Sequence, residues 1–275
     1  SLDIDLKQSI IEGQEVVIYA SKFSRKKDQT STVKNISSEE IEILPVEDLG
    51  AVINMQAGVV AGHFRGGRRD EVSYMIDGVP VNDAFGGVSA VSNLEVEAVK
   101  DLEIITGTFN AEYGNAMSGI VNAVTKDGNN NFNGSINTGF STYITENKKN
   151  GENIYIGLDP FGINTNSDLK FSLSGPVIKD LIYFFTNFRT QDVNGHLNGI
   201  RRFEVWNLSN FYDQDSSKWF SENTGDSSYV PMNTGKYTSF MGKLSLNLRN
   251  IKLALMLNVN HSLSRGYSHI YKYNP

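Results

Sequence analysis

The chain has 275 residues, no cysteine and a formal net charge of −6 at pH 7. Without cysteine it has no disulfide framework, thiolate metal site or cysteine nucleophile, and its negative charge argues against a general nucleic-acid binder. The charge is unevenly distributed, because residues 1–128 carry a net of −9 and residues 129–275 a net of +3. We therefore expect two different domains that meet near Gly128.

The first elements are short. Glu15–Ala20 is a β-branched run typical of an extended segment or a short strand. Ser37 and Glu40 form a capping box, which predicts a short helix that Pro45 ends or kinks. Val46–Met55 has apolar residues at helical spacing and predicts a second short helix.

The rest of the acidic half alternates between strand and helix patterns. Asp77-Gly78 is a strong hairpin-turn signal. We expect strands at Val72–Ile76, Leu102–Thr106 and Ile120–Thr125 and a short helix at Val91–Val99. Together these elements predict a small α+β domain.

The second half contains segments in which apolar and polar residues alternate with period two. They predict five strands of about 9–13 residues, a length suited to tilted membrane-spanning strands. The segments are Ile136–Ile144, Leu169–Ser174, Leu181–Arg189, Phe240–Arg249 and Ile251–Asn260.

The connections between these strands alternate in length. Pro176–Asp180 and Arg249–Asn250 are short, whereas residues 145–167 and 192–235 form long loops. Outer-membrane barrels have short periplasmic turns and long extracellular loops. The alternative is a soluble β-sandwich with one wet face, which the same alternation permits.

Five short stretches occur in one order along the acidic half: Phe64–Gly67, Tyr74–Pro80, Val99–Gly107, Glu112–Gly114 and Ser118–Lys126. Taken together, they resemble the plug domain of TonB-dependent outer-membrane receptors. Gly175–Phe185 also resembles the hairpin between the second and third barrel strands of that family. Two local departures occur, Gly107-Thr108 for the usual Gly-Pro and Ser118-Gly119 for the usual Gly-Gly.

The resemblance implies an α+β plug domain followed by antiparallel transmembrane β-barrel strands. The expected divisions are residues 1–14 as the end of a preceding carboxypeptidase-regulatory-like domain or a linker, 15–128 as plug, and 129–275 as the first barrel strands. A barrel that houses a plug needs about 22 strands, and an open sheet in lipid leaves unpaired backbone groups. We therefore expect this chain to be part of a longer one.

The resemblance also implies a function. The protein would lie in the outer membrane of a Gram-negative bacterium and import a substrate into the periplasm when TonB moves the plug. Expected partners are the TonB-ExbB-ExbD energy-coupling system, membrane lipid and a substrate-capturing surface lipoprotein, with no nucleic acid. The alternative is a structural component of an outer-membrane complex that reuses the receptor fold as a scaffold or pore plug.

Three groups of site residues follow from the resemblance. The TonB-binding segment would be Glu15, Val16, Val17, Ile18, Tyr19 and Ala20, although Val16–Tyr19 could instead be the first plug strand. Polar contacts between the plug and the barrel, or within the plug, would involve Arg65, Glu103 and Glu112. Substrate contacts would involve Arg68, Arg69, Asn82, Asp83 and Phe85.

The sequence offers little support for catalysis. His63, His196, His261 and His269 lack metal-ligand spacing, and no phosphate-binding loop, nucleophile elbow or dinucleotide fingerprint is present. We expect no enzyme activity, no cofactor and no metal site.

Overall fold

The computed structural model describes residues 31–46, 48–81, 91, 94–107, 116–144, 148–149, 152–153, 155–158 and 166–275. Two five-stranded β-sheets dominate these ranges, and short helices accompany the first sheet. None of the helices found there has the length and apolar character needed to cross a membrane.

The N-terminal domain is built on a mixed sheet with strand order β1-β6-β7-β4-β5, in which β4 and β7 are parallel and the other pairs antiparallel. Its elements are β1 (Ser31–Ser37), α1 (Ser38–Ile43), α2 (Leu49–Asn54), β2 (Val59–Val60), β3 (His63–Phe64), β4 (Val72–Ile76), β5 (Val79–Pro80), β6 (Val99–Gly107) and β7 (Gly119–Thr125). Single-turn 3₁₀ helices at Arg69–Glu71 and Val96–Ala98 precede β4 and β6.

Local sequence signals account for both helices. Ser37 accepts a hydrogen bond from the Glu40 backbone N–H, and Glu40 accepts one from the Ser37 N–H, so the predicted capping box is confirmed. Asp48 caps α2 in the same way through Ala51. The buried residues of α2 are Leu49, Val52 and Ile53, as the helical spacing predicts.

The predicted hairpin is also confirmed. Asp77 and Gly78 have positive φ angles of 50° and 80° and connect β4 to β5. Two positive φ values are what a tight turn between antiparallel strands requires, and aspartate and glycine adopt them at low cost. The turn places the Asp77 side chain at the end of β4, where it faces the second half of the chain.

The C-terminal part is an antiparallel sheet with strand order β18-β17-β12-β11-β8. Its strands are β8 (Asn133–Ser141), β11 (Asn166–Ile178), β12 (Ile182–Asn194), β17 (Thr234–Leu248) and β18 (Ile251–Arg265). The long connections contain the short strands β9 (Lys148–Lys149), β10 (Glu152–Asn153), β13 (Asn198–Ile200), β14 (Ser209–Asn210), β15 (Phe220–Ser221) and β16 (Tyr229–Pro231), and 3₁₀ turns lie at Ser216–Lys218 and His269–Tyr271.

The five predicted strands of this sheet are confirmed, with different ends. β11, β12, β17 and β18 extend beyond the alternating segments to 13, 13, 15 and 15 residues, whereas β8 ends at Ser141 rather than Ile144. Most of the added residues are polar, and hydrogen-bonded pairing with the neighbouring strands extends the sheet over them.

One predicted element is wrong in its described part. Val91–Val99 was expected to be a single helix; Val91 is helical, but Val96–Ala98 is only a 3₁₀ turn and Val99 already begins β6. Val91, Leu94, Ala98 and Val99 are all buried. Because most of the described residues of this segment are buried, their spacing shows no clear amphipathic period and does not distinguish a helix from an irregular buried segment.

Most apolar side chains of the large sheet lie on the face that points away from the N-terminal domain. One row of directly paired residues on that face runs across all five strands, and the adjacent row on the opposite face is polar. The apolar row is Ile136, Phe171, Phe188, Phe240 and Val259, and the polar row is Asn137, Lys170, Arg189, Ser239 and Asn260.

Candidate functional site

The most elaborate polar structure in the described residues lies where the N-terminal domain packs against the inner face of the large sheet. Part of this contact is apolar, since Phe185 of β12 and Met241 of β17 belong to the same buried cluster as the core of the N-terminal domain. Met256 of β18 packs against that cluster. The remainder consists of two ion-paired groups.

The first group is centred on Lys243 of β17, whose side chain is 4% exposed. Its ammonium donates to Asp77 Oδ2 at 2.9 Å and to Thr125 Oγ1 at 2.8 Å, and it lies 2.9 Å from Asp127 Oδ1. Because an ammonium group has three donors, all of its hydrogen-bonding capacity is directed at the N-terminal domain and the segment that follows it. We call Lys243, Asp77, Thr125 and Asp127 the lysine cluster.

The acceptors of the lysine cluster are themselves held in place. Asp77 accepts from the Thr125 backbone N–H at 2.8 Å and from its hydroxyl at 2.6 Å. Asp127 accepts from Ser245 Oγ at 2.8 Å and from Lys252 Nζ at 2.6 Å. The cluster therefore joins the β4–β5 hairpin and the end of β7 to both β17 and β18.

The electrostatics of Asp127 follow from these contacts. Partial burial alone would raise its pKa, but hydrogen bonds from Lys252, Lys243 and Ser245 together lower the pKa to about 2, from an ordinary value of 3.8. The carboxylate is therefore ionised throughout the physiological range, and its ion pairs with the two lysines persist.

The second group is centred on Arg189 of β12. Along this strand, Arg189 lies roughly 13 Å from Phe185, the residue paired with Lys243. Arg189 Nε and Nη2 donate to Asp168 of β11 at 3.0 and 2.7 Å, and Nη1 donates to Glu95 of the N-terminal domain at 3.2 Å. The guanidinium also lies 6.0 Å from the ring centroid of Tyr237. We call Arg189, Asp168 and Glu95 the arginine cluster.

Glu95 is the member of the arginine cluster that comes from the N-terminal domain. Burial raises the pKa of this carboxyl above its ordinary value, although the charge of Arg189 acts in the opposite direction. Two residues further on, Glu97 lies 3.3 Å from Lys170 of β11. Glu95 and Glu97, which flank the first residue of the 3₁₀ turn at Val96–Ala98, thus each pair with a basic residue of the large sheet.

The structure places the predicted polar-contact residues within the N-terminal domain. Arg65 donates to Thr32 Oγ1 at 3.1 Å, so the contact that it makes is internal to this domain. Glu103 lies in the middle of β6, directly opposite Asn35 and Asn122. Glu112 lies outside the described residues, and a role for any of the three against further barrel strands stays a prediction.

The predicted substrate-contact residues are described in part. Arg68 and Arg69 are exposed at the start of the 3₁₀ turn before β4, while Asn82, Asp83 and Phe85 lie outside the described residues. Arg69 lines a cavity of about 180 Å³ together with Asn54, Gly62 and Tyr74. Burial raises the pKa of the Tyr74 hydroxyl above its ordinary value.

The predicted TonB-binding segment, Glu15–Ala20, also lies outside the described residues. In the described part of the chain, His, Asp and Glu side chains form no group suited to holding a metal ion.

Sequence reasoning missed the central residues of both clusters. Arg189 and Lys243 lie at inward positions of strands whose outward positions are apolar. The one signal in the sequence was a charged residue in the middle of a strand long enough to cross a membrane. The partners are 94 and 166 residues away for the contacts with Glu95 and Asp77. Such pairs could be identified only once the packing of the two sheets was known.

Comparison with known proteins identifies the N-terminal domain. Residues 25–120 match the family model of the TonB-dependent receptor plug domain. The chain is 34% identical over 135 residues to the TonB-dependent transporter Oar of Myxococcus xanthus, covering 46% of this chain and 12% of that protein. It is 28% identical over 131 residues to the vitamin B12 transporter BtuB of Vibrio vulnificus (strain CMCP6), covering 43% of this chain and 22% of that one.

The fold extends the match to the large sheet. The crystal structure of the siderophore receptor PirA from Pseudomonas aeruginosa superposes with a TM-score of 0.53 at 22% identity, over 84% of this chain and 34% of that one. The chain therefore spans less than a quarter of either curated relative and about a third of that receptor. The predicted plug domain, plug-and-barrel fold and outer-membrane localisation are confirmed, and both relatives are named as transporters.

Proposed function

Because this chain carries the plug domain of the TonB-dependent receptors and strands of the barrel around it, we propose that it serves energy-driven import across the outer membrane. A substrate binds from outside, TonB pulls on the N-terminal segment, and the plug moves to let the substrate pass into the periplasm. The observation that carries this proposal is the polar, ion-paired contact between the plug and the inner face of the sheet.

The polarity of the sheet supports a plug held inside a barrel in lipid. The outward row contains only apolar residues, and large side chains such as Leu255 are strongly exposed on that face. In water such a surface would promote aggregation, whereas in a bilayer it is the surface that lipid contacts. The inner face presents the lysine and arginine clusters to the plug.

The chemistry of the contact suits a plug that stays seated until it is pulled. Buried ion pairs contribute little net stability compared with apolar packing, yet the loss of one partner costs about 3–5 kcal/mol. A polar contact surface can also be rehydrated when it separates, unlike an apolar one. The apolar core of the plug, around Leu49, Phe64 and Leu102, would stay intact longer than this contact under load.

Energy coupling is assigned to Glu15–Ala20. Its β-branched run suits an extended segment that adds as a strand to an exposed sheet edge of TonB, in the manner of β-augmentation. ExbB and ExbD would supply the energy to TonB. The family match begins at residue 25, so this segment would precede the matched part of the plug and be available for such a contact.

Substrate contact is assigned to the polar loops of the plug. Arg68 and Arg69 are exposed there, and Asn82, Asp83 and Phe85 complete the proposed set. A surface lipoprotein that captures substrate would deliver it to these loops. Loop residues on a rigid scaffold commonly carry recognition, and the sheet beneath these loops supplies that scaffold.

The experiment that tests the proposal is deletion of Glu15–Ala20 in the full-length protein. Energy-dependent uptake should be lost, while substrate binding at the cell surface is retained. Deletion of the six residues Ser21–Lys26, which lack the β-branched run, is the matched control and should preserve uptake. Normal uptake after the first deletion would refute the assignment of the TonB segment.

A further inference from the structure

We propose that a cavity in the long connections of the large sheet is a binding site for a single sugar ring. The cavity has a volume of about 180 Å³ and is lined by four residues with ring side chains, by Asn198 and Lys272, and by two aliphatic residues. It lies at the end of the sheet opposite the short turns. Its described lining residues are Tyr155, Ile156, His196, Leu197, Asn198, Tyr267, His269 and Lys272.

The walls of this cavity are fixed by contacts between three separate parts of the chain. Asn198 Nδ2 donates to the Ile156 carbonyl at 3.0 Å, which joins the first long connection to β13. The Ile200 backbone N–H donates to the Lys272 carbonyl at 2.7 Å, which joins β13 to the segment after β18. The site is therefore built by the fold and does not depend on one loop.

The ring side chains in the cavity are held at defined orientations. The His196 imidazole contacts both Tyr143 and Tyr155, with ring centroids 5.2 and 5.5 Å away. The Tyr267 hydroxyl and His269 Nδ1 are 2.9 Å apart. Two tyrosines and two histidines thus line the cavity, and each of these residue types combines an apolar ring with a hydrogen-bonding atom.

This arrangement matches the chemistry of a sugar. A sugar ring has C–H faces that pack on aromatic rings and hydroxyl groups around its whole edge that both donate and accept hydrogen bonds. A catechol carries only two oxygens, both on one edge, so it would leave several of these polar groups unpaired. No carboxylate is among the described lining residues, and Lys272, whose ammonium lies 5.5 Å from the ring centroid of Tyr273, adds a positive charge beside the cavity. An acidic sugar is therefore favoured over a neutral one.

The volume limits the ligand to one ring. Pockets for drug-sized molecules measure about 300–1,000 Å³, which exceeds this cavity. The site would hold one sugar residue, either free or at the end of a longer chain. The proposal goes beyond import, because binding here requires neither TonB nor plug movement. A negative result in the uptake experiment would therefore not contradict the sugar site.

The test uses the full-length protein in detergent, titrated with glucuronate, glucose and 2,3-dihydroxybenzoate. We expect glucuronate to bind more tightly than glucose. Tyr155→Ala should weaken glucuronate binding by at least about tenfold, the loss of one aromatic contact and its buried area. Tyr212→Ala, at a side chain that is 98% exposed and outside the cavity, is the matched control and should change nothing.

Tyr267→Phe supplies a second variant that removes one hydroxyl, and it keeps the test valid if Tyr155→Ala does not fold. This variant should weaken glucuronate binding several-fold because it frees His269 from its hydrogen bond. Unchanged sugar affinity in both folded variants would overturn the site, and binding of the catechol without either sugar would overturn the assignment to a sugar.

Discussion

The main sheet of the plug and the large sheet have five strands each, but they differ in the side chains that they bury. In the plug, all five residues of β4 are buried, and apolar clusters cover both faces of the sheet. In the large sheet, the buried positions of β17 include Ser239, Lys243 and Ser245, while Phe240 and Leu244 between them are exposed. The burial pattern of the plug suits a domain surrounded by water, and that of the large sheet suits a sheet whose outer face contacts lipid.

The difference explains where the charged residues are. A sheet that gives its apolar face to lipid leaves its polar face for whatever fills the interior. Lys243 and Arg189 occupy that face, and the plug supplies Asp77 and Glu95 as their partners. The two regions are thus complementary in charge at their contact, although each would be unstable with its charged groups unpaired.

The largest effect should come from Lys243→Ala. It leaves Asp77 and Asp127 without their shared ammonium, and we expect a loss of about 3–5 kcal/mol in the stability of the seated plug. Hydrogen exchange of β7 amides in the full-length protein measures this loss. Lys252→Ala is the matched control, since its exposed side chain also pairs with Asp127 and should cost only about 0–1 kcal/mol. Equal effects of the two changes would contradict a special role for Lys243.

The polarity of the sheet is tested by Leu255→Arg. Leu255 is 71% exposed on the outward face, and an arginine there should cost about 2–4 kcal/mol of folding free energy in a bilayer. Asn260→Arg, on the inward face of the same strand, should cost far less. Folding titrations in lipid vesicles measure both variants. A greater cost for the inward change would reverse the assignment of the two faces.

A smaller effect depends on pH. The folded-state pKa of Asp127 is lowered to about 2 from 3.8, so folding favours its charged form. The stability that Asp127 contributes is fully present above pH 3.8 and is lost as the pH falls through about 2. Asp127→Asn should reduce the acid sensitivity of β7 hydrogen exchange in that window. An unchanged pH profile would show that Asp127 does not stabilise the seated plug.

The smallest expected effect is confined to the plug. Ser37→Ala removes the side-chain acceptor of the capping box and should cost about 1 kcal/mol of plug stability. Ser38→Ala, one residue further on, is the control and should have little effect. Thermal unfolding of the plug region checks both. Weakening of the large sheet by Ser37→Ala would argue against the separate roles of the two regions.

Local signals in the sequence predicted most of the fold. The capping box at Ser37, the turn at Asp77-Gly78 and the five alternating strands each depend on neighbouring residues, so they can be identified without knowledge of the packing. The Val91–Val99 segment could not be assigned correctly, because its burial comes from the surrounding plug and leaves no local period.

The candidate site was less accessible to sequence reasoning. The resemblance directed attention to Arg65, whose contact with Thr32 lies inside the plug. For Lys243 and Arg189, which join the plug to the sheet, the sequence shows only a charged residue within a strand. Their importance arises from burial against partners far away in the sequence, which a single sequence does not encode as a pattern.

The central claim, that the plug is seated on the inner face of the sheet through the lysine cluster, is tested most directly by a double-mutant cycle. Asp77→Asn, Lys243→Met and the double variant would be compared in the full-length protein by hydrogen exchange of β7. The account predicts a coupling free energy of at least about 1 kcal/mol between the two residues. Additive effects, within about 0.5 kcal/mol, would contradict it.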